Sequence, residues 1–433
     1  MSELSEHRPT PSGRPVRILF HINDFGRGGT ETALIAWLSA LDRRLFAPGL
    51  AVTFATRDLD YWRVHSLPTD VPIHVLASPR MTRLHQVQQE RKLGLSEKLL
   101  HKVSTYAAIR PLVARRFLRL ARDYDIVCDF DLTFRRIAGR GSVPWFGVSH
   151  YSFSARWGDK KRTYVSRRLA QLARYAAIAV ITPAMRREAE PLFANLPVKV
   201  VDLPNVFDVT EIRRRASAQA TLPSAPFIVS LARLDEGQKD HTTLLKAYAV
   251  LLARSPGIGD LVLLGDGPDR SALEALAVQL GIERAVTFFG YCSNPFPMIK
   301  AARLLVLSSH YEGCPMVLSE AMALGTPVVS TDCPTGPHDL LDGGNAGLLV
   351  APGDVNGLAD AIETLVSDPV LREEVTRHGA EKVSTFSPER ANARMLALVA
   401  EIAPASLVAR AIAAESAGEA DVAASATAGG LRS

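Results

Sequence analysis

The chain has 433 residues, of which 47% are hydrophobic and 22% are charged. This composition is ordinary for a globular protein and excludes collagen-like and low-complexity classes, and the length suits two or three domains. No apolar run approaches the roughly 20 residues that a membrane-spanning helix needs. The polar first 15 residues do not resemble a signal peptide, so we expect a cytoplasmic protein with a disordered N-terminal arm at residues 1–15.

The net charge of +5 is distributed unevenly along the chain. Residues 1–205 carry a balance of +14, and the remaining residues carry −9. A basic first half and an acidic second half indicate two domains with different partners.

The first half alternates strand-like and helix-like segments. Val16–Ile22 is an apolar run of strand length, the loop Asp24–Thr30 contains three glycines, and Glu31–Leu41 has the apolar spacing of a helix. Strand, glycine loop and helix together form the opening unit of a doubly wound α/β sheet. Further strands are predicted at Leu50–Phe54, Ile73–Leu76, Asp125–Cys128, Trp145–Val148 and Ile178–Ile181.

A second alternating series follows Ala216–Pro226, a segment rich in Ala, Ser and Pro that predicts a linker. Its predicted strands are Phe227–Leu231, Leu261–Leu264, Val286–Phe289, Leu304–Leu307, Pro327–Ser330 and Gly347–Val350. Its predicted helices are Thr242–Ala253, Ser271–Leu280, Pro315–Leu324 and Gly357–Val366. This spacing favours a second parallel α/β domain.

The densest chemical signal is the segment Glu312–Glu320, whose two terminal glutamates flank a predicted helix start. Pro315 suits the first turn of a helix, and the amides that follow it would attract a phosphate. Those amides belong to Met316, Val317 and Leu318. The glutamates would then accept hydrogen bonds from sugar and ribose hydroxyls. For an isolated motif, a solvated glutamate pair beside a core helix is the alternative.

The context of this motif carries a family resemblance. Glu312–Leu341 resembles the donor-binding segment of glycosyltransferase family 4, whose members have the GT-B fold and an E-x7-E signature. The other matching segments, in the expected order, are Gly28–Glu31, Ala232–Lys239 and Gly265–Pro268. The resemblance covers roughly residues 16–400 and is strongest from 228 to 355.

The resemblance implies an α/β GT-B fold with two Rossmann-like domains facing each other across a cleft. The predicted segments are the arm at 1–15, an N-terminal acceptor-binding domain at 16–205, a C-terminal nucleotide-sugar-binding domain at 206–385, a C-terminal crossover helix at 386–402 and a flexible Ala-rich tail at 403–433. It further implies retaining transfer of a hexose or N-acetylhexosamine, from a UDP-sugar by preference, to a saccharide or lipid-linked saccharide acceptor in bacterial polysaccharide biosynthesis.

Two cations follow the first strand of the second domain. Arg233 and Lys239 would meet a diphosphate at the carboxyl edge of the sheet, where α/β folds bind ligands. Two surface bases that begin a helix are the alternative. The resemblance implies that this pair stabilises the leaving diphosphate, that Glu312 orients the transferred sugar and that Glu320 binds the ribose.

Further site residues are expected in three loops around the cleft. Gly28 and Gly29 would let the backbone approach a ligand closely, beside free amides at a helix start. The resemblance aligns His150 with a histidine near the transferred sugar, although an exposed loop histidine is the alternative. Tyr291 and Cys292 follow a strand where backbone groups would read the nucleotide base.

No metal site is assigned. Asp129-Phe-Asp131 and Asp58-Leu-Asp60 match the DxD pattern of metal-dependent transferases of another fold, but three residues arise easily by chance. The four cysteines are far apart and form no CxxC pair, so neither a zinc site nor a disulfide framework is indicated. We expect no cofactor and no metal requirement, with the nucleotide sugar as co-substrate.

The stretch Arg80–Arg122 contains eleven Lys and Arg but two Glu. Within it, Leu112–Arg122 is amphipathic, with Arg115, Arg116, Arg119 and Arg122 on one arc. Peripheral contact with an anionic membrane, at the inner face of the cytoplasmic membrane, competes with a solvated surface helix.

Two other classes of function are open at this stage. One is a sugar-nucleotide epimerase on the same fold, and the other is a non-catalytic binder of membrane or nucleic acid. The basic half lacks the interleaved aromatic residues of nucleic-acid surfaces, so we expect no nucleic-acid partner.

Overall fold

Two parallel β-sheets organise the chain. The computed structural model describes residues 14–26, 28–54, 57–78, 94–407 and the single residues 87 and 409. The strands of the first sheet are β1 Val16–Asp24, β2 Phe46–Phe54, β3 Ile73–Ala77, β4 Ile126–Asp129, β5 Trp145–Ser149, β6 Ala177–Val180 and β7 Lys199–Asp202. The strands of the second are β8 Phe227–Leu231, β9 Asp260–Leu264, β10 Val286–Gly290, β11 Leu305–Leu307, β12 Val328–Thr331 and β13 Leu348–Val350.

The strand order of the two sheets determines which loops are expected to bind a ligand. The first sheet has the order β3-β2-β1-β4-β5-β6-β7 and the second β10-β9-β8-β11-β12-β13, with every pair parallel. The order reverses between β1 and β4 and again between β8 and β11. Ligands of open α/β sheets bind at the carboxyl ends of the strands beside such reversal points. The loops after β1, β4, β8 and β11 are therefore the expected ligand-binding loops.

Helices cover both sheets. In the first half they are Gly29–Ala40, Arg57–His65, Leu95–Ser104, Arg110–Leu120, Phe153–Trp157, Arg162–Leu172, Pro183–Phe193 and Val209–Ala216, with a π-helical turn at Thr105–Ile109. In the second half they are Glu236–Lys239, His241–Arg254, Arg270–Gln279, Phe296–Ala301, Met316–Leu324, Gly336–Leu340, Val355–Ser367, Pro369–Ser384 and Pro388–Ile402. Their apolar faces and the strands bury continuous hydrophobic cores. Of the helices in the described part of the chain, none is long and apolar enough to cross a membrane.

The helix Pro388–Ile402 returns from the second domain to the first. Asn392 donates to the Ala40 carbonyl at 2.8 Å and accepts from the Asp42 amide at 2.8 Å. One amide side chain therefore caps the end of the first domain's opening helix. These bonds join this C-terminal helix to the end of the first domain's opening helix.

The fold predicted from the sequence, two Rossmann-like α/β domains, is confirmed. The missed elements include the strand Lys199–Asp202, which is short, lies at a sheet edge and carries charged residues at both ends, and the helix Pro369–Ser384, whose apolar face is narrow. The short helices Glu236–Lys239, Phe296–Ala301 and Gly336–Leu340 were also not predicted, because four to six residues show too little periodicity. Residues 1–13 of the predicted arm lie outside the described residues. So do residue 408 and residues 410–433 of the predicted tail, whereas Leu407 is described and buried.

Candidate active site

Arg233 and Lys239 lie in the loop and short helix that follow β8. Lys239 is the last residue of the turn Glu236–Lys239, and Asp240 ends that turn in the left-handed conformation with φ 47°. The Asp240 carboxylate then accepts from the Thr243 amide at 3.1 Å and starts the next helix. The backbone around Lys239 is thus held by a helix cap, which directs the lysine side chain toward the neighbouring loop.

Arg233 has a different environment. Its guanidinium is paired with the Asp235 carboxylate, and its side chain is 64% exposed. The structure therefore brings Lys239 into the centre of the site and leaves Arg233 at the rim, already neutralised by a carboxylate.

The Gly265–Pro268 loop supports the loop that carries Arg233. A Cβ on Gly265 would overlap the Ala232 carbonyl, and a Cβ on Gly267 would overlap the Leu234 carbonyl. Leu234 also donates its amide to the Asp266 carbonyl at 3.1 Å. The two glycines are required because the backbone of the Gly265–Pro268 loop lies directly against the backbone of residues 232–234. The motif therefore supports the loop that carries Arg233 and does not itself enter the site.

Lys239 and Glu312 form the central ion pair. Lys239 Nζ donates to Glu312 Oε1 at 2.5 Å, and the side chains are 18% and 7% exposed. Ser309 Oγ donates to the same carboxylate oxygen at 2.6 Å, and Thr331 Oγ1 donates to the Ser309 carbonyl at 2.6 Å. The pair is therefore oriented by hydroxyls from the ends of β11 and β12.

The helix Met316–Leu324 begins beside this pair. Pro315 is its N-cap, and the amides of the first helical residues lack intrahelical acceptors in any helix. The Leu318 amide donates back to the Pro315 carbonyl at 3.2 Å. Of the three predicted phosphate-binding amides, those of Met316 and Val317 are therefore the ones left for a ligand.

Glu320 lies inside that helix and is 9% exposed. Burial raises the pKa of its carboxyl to about 7, although the positive charge of Arg215 opposes the rise. No described residue donates a hydrogen bond to it. A buried carboxyl without donors is costly unless a ligand supplies them. A ribose diol would supply two.

His150 reaches the site from the first domain, at the end of β5. Burial lowers its pKa to about 4, while a backbone hydrogen bond with Phe130 opposes the fall. His150 Nε2 is buried and has no hydrogen-bond partner among the described residues. A Cβ on Gly313 would overlap the His150 carbonyl oxygen, so the two domains touch here backbone to backbone. An exposed loop histidine, the alternative from the sequence, is wrong.

The glycine loop after β1 differs from the expectation. Glu31 folds its carboxylate back over the loop, and Glu31 Oε1 accepts from the Gly26 amide at 3.0 Å. Burial raises the pKa of Glu31, while hydrogen bonds from its own amide and from the Gly26 and Gly28 amides oppose the rise. The expectation of wholly free amides at this helix start is therefore wrong, because Glu31 occupies part of it. A Cβ on Gly29 would meet no atom within 4 Å, so space adjoins it.

Tyr291 and Cys292 follow β10 and face the first domain. The Tyr291 ring lies edge-on to Tyr61, with ring centroids 6.4 Å apart. Tyr61 belongs to the helix Arg57–His65 of the first domain and stacks on His65 at 4.3 Å. Cys292 is half-buried. The predicted base-reading loop therefore lies at a contact between the domains, away from the Lys239–Glu312 pair along the sheet edge.

Asp339 was not identified from the sequence, although it joins the domains at the site. Asp339 Oδ2 accepts from the Ala184 amide at 2.7 Å, at the start of the helix Pro183–Phe193. The Arg187 guanidinium lies 3.4 Å from the other carboxylate oxygen, Asp339 Oδ1. Carboxylates are favourable at helix N-termini. No local pattern signals this cap, because the helix and its cap lie on different domains.

The Asp129-Phe-Asp131 motif lies in a buried cluster with His21, whose ligand-type atoms are within 4.8 Å of one another. His21 Nδ1 lies 3.0 Å from Asp129 Oδ1, while Tyr175 and the Phe134 amide donate to the other oxygen at 2.5 and 2.8 Å. Protein donors thus already use the Asp129 carboxylate, so this cluster supports the first domain's core and is not assigned to a metal. The Asp58-Leu-Asp60 motif lies on a separate helix.

Comparisons with known proteins locate the resemblance. Residues 213–382 match the family described as glycosyl transferases group 1. The lipopolysaccharide core biosynthesis glycosyltransferase LpsE of Rhizobium meliloti is 39% identical over 181 residues, 42% of this chain and 51% of that protein. The N-acetylgalactosamine-N,N'-diacetylbacillosaminyl-diphospho-undecaprenol 4-alpha-N-acetylgalactosaminyltransferase of Campylobacter jejuni is 30% identical over 215 residues, 49% of this chain and 57% of that protein. The matches thus span about half the length of these relatives.

Solved structures resemble the chain over most of its length. Anabaena Alr3699/HepE in complex with UDP and glucose has a TM-score of 0.66 at 19% identity, covering 89% of this chain and all of that one. At this identity the likeness shows the fold. The chain therefore has the GT-B fold, and residues 213–382, which carry the Lys239–Glu312 pair and Glu320, match the group 1 glycosyl transferases.

Proposed function

We propose that the protein is a retaining glycosyltransferase of family 4. It moves a hexose or N-acetylhexosamine from a nucleotide sugar, preferably a UDP-sugar, to a saccharide or lipid-linked saccharide acceptor in bacterial polysaccharide or glycan biosynthesis. The observation that carries the proposal is the Lys239–Glu312 pair beside the start of the helix Met316–Leu324. The same helix holds the buried carboxyl of Glu320, to which no described residue donates a hydrogen bond. The match of residues 213–382 supports it.

In this proposal the second domain stabilises the leaving diphosphate. Lys239 and the amides of Met316 and Val317 would surround the phosphate oxygens, and Arg233 would join them by exchanging Asp235 for phosphate. Fixed positive groups that face developing negative charge are often the largest contribution to catalysis. The cations and amides would do this without a metal.

The carboxyls and His150 would orient the donor. Glu320 would accept both ribose hydroxyls, and Glu312 would accept a hydroxyl of the transferred sugar. His150 is uncharged near neutral pH, so its unpartnered Nε2 would hydrogen-bond a sugar hydroxyl. In front-face transfer with retention, the departing phosphate oxygen accepts the proton of the acceptor hydroxyl. No protein base is then needed.

The preference for UDP and for a lipid-linked acceptor draws on similar proteins. The Anabaena structure contains UDP and glucose, and the name of the Campylobacter relative specifies a diphospho-undecaprenol acceptor. The basic first domain would bind such an acceptor at the surface of a membrane.

Peripheral contact with an anionic membrane is part of the proposal. Four apolar side chains are exposed at helical spacing in the segment Leu95–Ile109: Leu99, Leu100, Val103 and Tyr106. Three exposed cations accompany them: Lys98, Lys102 and Arg110. An apolar stripe flanked by cations suits the boundary between lipid headgroups and acyl chains. Residues 80–86 and 88–93 of the predicted cationic stretch lie outside the described residues.

The amphipathic helix Arg110–Leu120 contributes less than the sequence suggested. Arg116 donates to the Leu76 carbonyl at 2.7 Å, so it anchors the helix to β3 instead of facing only solvent. Arg115 and Arg119 are exposed. Membrane tests should therefore leave Arg116 intact.

Vesicle co-sedimentation tests the membrane contact. We expect binding to anionic but not zwitterionic vesicles and release at about 0.5 M salt, because each basic residue near the surface contributes about 1 kcal/mol that salt screens. Lys102→Glu with Val103→Asp should abolish binding, while the control Lys300→Glu on the second domain should not. Equal recovery in the supernatant with both vesicle types would refute the contact.

An assay of nucleotide release tests the transferase activity. With a panel of UDP-, GDP- and ADP-sugars, a transferase slowly releases nucleoside diphosphate and free sugar. An epimerase would instead convert one nucleotide sugar into another, and a binder would do neither. Either of the last two outcomes would overturn the proposal.

A further inference from the structure

A carboxylate of the first domain holds the segment that follows β5. Glu188 lies on the helix Pro183–Phe193. Its Oε2 accepts from the Phe153 amide at 2.8 Å, and its Oε1 accepts from Ser152 Oγ at 2.7 Å. Ser154 Oγ also donates to Oε1. These partners lie 34 to 36 positions earlier in the chain, so the tertiary structure sets the contact.

His150 lies between two anchored points of this segment. Ser149 Oγ, at the end of β5, donates to the Tyr151 carbonyl at 3.0 Å and closes the backbone around His150. Ser152 then begins a short helix, whose first amides need acceptors from outside the helix. The Glu188 carboxylate supplies one of those acceptors and also binds the Ser152 hydroxyl. The backbone is therefore held on both sides of His150.

The helix that carries Glu188 is itself held by the second domain. Asp339 accepts a hydrogen bond at the start of this helix, and Glu188 lies about one turn further along. A Cβ added to Gly313 would lie 3.6 Å from Met185 Cε of the same helix and would overlap the His150 carbonyl oxygen. The helix, the segment around His150 and the loop of the second domain that precedes the helix Met316–Leu324 therefore meet at one place.

The hydrogen bonds of Glu188 are directed to this segment. The two arginines on the same helix pair with other carboxylates, Arg186 with Glu190 and Arg187 with Asp339. Hydrogen bonds to an ionised carboxylate are shorter and stronger than those between neutral groups. Glu188 is thus well suited to fix the backbone that it contacts.

The position of the His150 ring depends on this backbone. The ring lies against Phe130 with centroids 4.6 Å apart, and its buried Nε2 has no partner among the described residues. Movement of the segment would displace Nε2 and admit water to the ring. A misplacement of about 1 Å in a group that orients a substrate can lower the rate about 10²-fold.

We propose that Glu188 is a positioning residue, which holds the backbone around His150 so that His150 Nε2 is presented to the transferred sugar. Glu188 would act through His150 and not on the substrate. The role in transfer rests on the proposed function, whereas the effect on His150 is a property of the first domain. A contribution to the stability of the first domain alone is the alternative.

Nuclear magnetic resonance titration of the full chain, with isotope-labelled histidine, tests the effect on His150. The His150 signal is identified by its loss in His150→Gln. Glu188→Ala should raise the pKa of His150 from about 4 toward the ordinary value of 6.5, because a loosened segment admits water to the ring. Removal of a negative charge alone would lower this pKa, so a rise reports lost positioning. An unchanged or lower pKa in folded Glu188→Ala would overturn the proposal.

Steady-state kinetics test the role in transfer. Release of UDP is measured with UDP-glucose, UDP-galactose and UDP-N-acetylglucosamine, and the variants are compared on the sugar that the wild type turns over fastest. Glu188→Ala should lower kcat about 10-fold or more, while the affinity for UDP in calorimetry should be unchanged, because the second domain supplies the proposed UDP contacts. A stabilising role alone would leave kcat of the folded protein unchanged. That result, or an equal loss of UDP affinity, would overturn the role.

Glu190→Ala is the matched control, because it removes the same charge from an exposed position on the same helix. It should leave the His150 pKa and kcat unchanged, and effects equal to those of Glu188→Ala would count against the proposal.

Glu188→Gln keeps the size of the side chain and one acceptor oxygen. It should lie between the wild type and Glu188→Ala in both measurements, and it replaces Glu188→Ala if that protein does not fold. If the wild type releases no UDP from any of the three sugars, the proposed function fails, and the His150 titration still decides whether Glu188 positions His150.

Discussion

Lys239 Nζ donates to Glu312 Oε1 at 2.5 Å, although the two residues are 73 positions apart in the chain. They meet because β8 and β11 are neighbours in the second sheet, which places both following loops at the same edge. Ser309 bonds the same carboxylate oxygen. The lysine charge is therefore held at a fixed place beside a helix start, where the proposed function puts the leaving diphosphate.

Lys239→Ala should lower kcat/KM with the cognate donor by a factor on the order of 10²–10³, the usual scale for the loss of one charge-stabilising group. The change also leaves Glu312 buried without its cation, so stability should fall as well. Lys246→Ala, an exposed cation on the following helix, is the control and should be neutral. Steady-state kinetics with a near wild-type rate in a folded Lys239→Ala protein would contradict the role.

Arg233→Ala should lower kcat/KM by the same order, about 10²–10³, but it should leave thermal stability nearly unchanged because the side chain is 64% exposed. Asp235→Asn is informative here, since it frees Arg233 from its carboxylate. We expect it to tighten UDP binding in calorimetry. Weaker UDP binding by Asp235→Asn would show that Asp235 positions the arginine instead of competing with phosphate.

Glu320 predicts a pH dependence of stability. Its folded pKa of about 7 lies above the ordinary value of 4.5, so the folded state holds the extra proton between those values. Stability should therefore fall as pH rises from about 4.5 through 7, by on the order of 3 kcal/mol from this group, of which roughly 2 kcal/mol falls above pH 5.5. Glu320→Gln should remove that part of the dependence. Denaturant titrations at pH 5.5 and 8.5 measure it, and parallel curves for the two proteins would rule it out.

Substitutions of Glu320 and Glu312 should affect different ligands, the bare nucleoside diphosphate in one case and the full nucleotide sugar in the other. Glu320→Ala should weaken the bare nucleoside diphosphate, since each charge-assisted hydrogen bond contributes about 1.5–3 kcal/mol. Glu312→Ala should largely spare the bare nucleotide and reduce turnover of the full donor. Calorimetry with UDP and kinetics with the nucleotide sugar separate the two variants, and identical profiles would contradict the assignment.

Gly313→Ala tests the contact between the domains. An added Cβ would overlap the His150 carbonyl, so this contact between the domains would be lost. We expect a large fall in kcat, with UDP affinity retained because the donor domain is intact. Gly257→Ala, where a Cβ would meet no atom within 4 Å, is the control and should be neutral. Small-angle scattering should show an expanded particle for Gly313→Ala alone, and unchanged scattering with full activity would refute the argument.

Local patterns predicted much of the fold. Apolar runs of strand length and helical periodicity are properties of neighbouring residues, so β8, the helix Met316–Leu324 and the alternation of both halves were found correctly. The E-x7-E spacing placed Glu312 before that helix and Glu320 inside it for the same reason. Elements without a strong periodicity, such as Lys199–Asp202, were missed.

The amino-acid sequence by itself thus determined the order of the strands and helices and the residues at each strand end. Only the tertiary structure decided which of those residues meet. It pairs Lys239 with Glu312, joins Arg233 to Asp235, and sets the His150 carbonyl against Gly313. These contacts join loops from different strands or domains, and they depend on strand order and on how the two domains face each other. Periodicity along the chain carries no information about either, because it reports only which face of each element is buried.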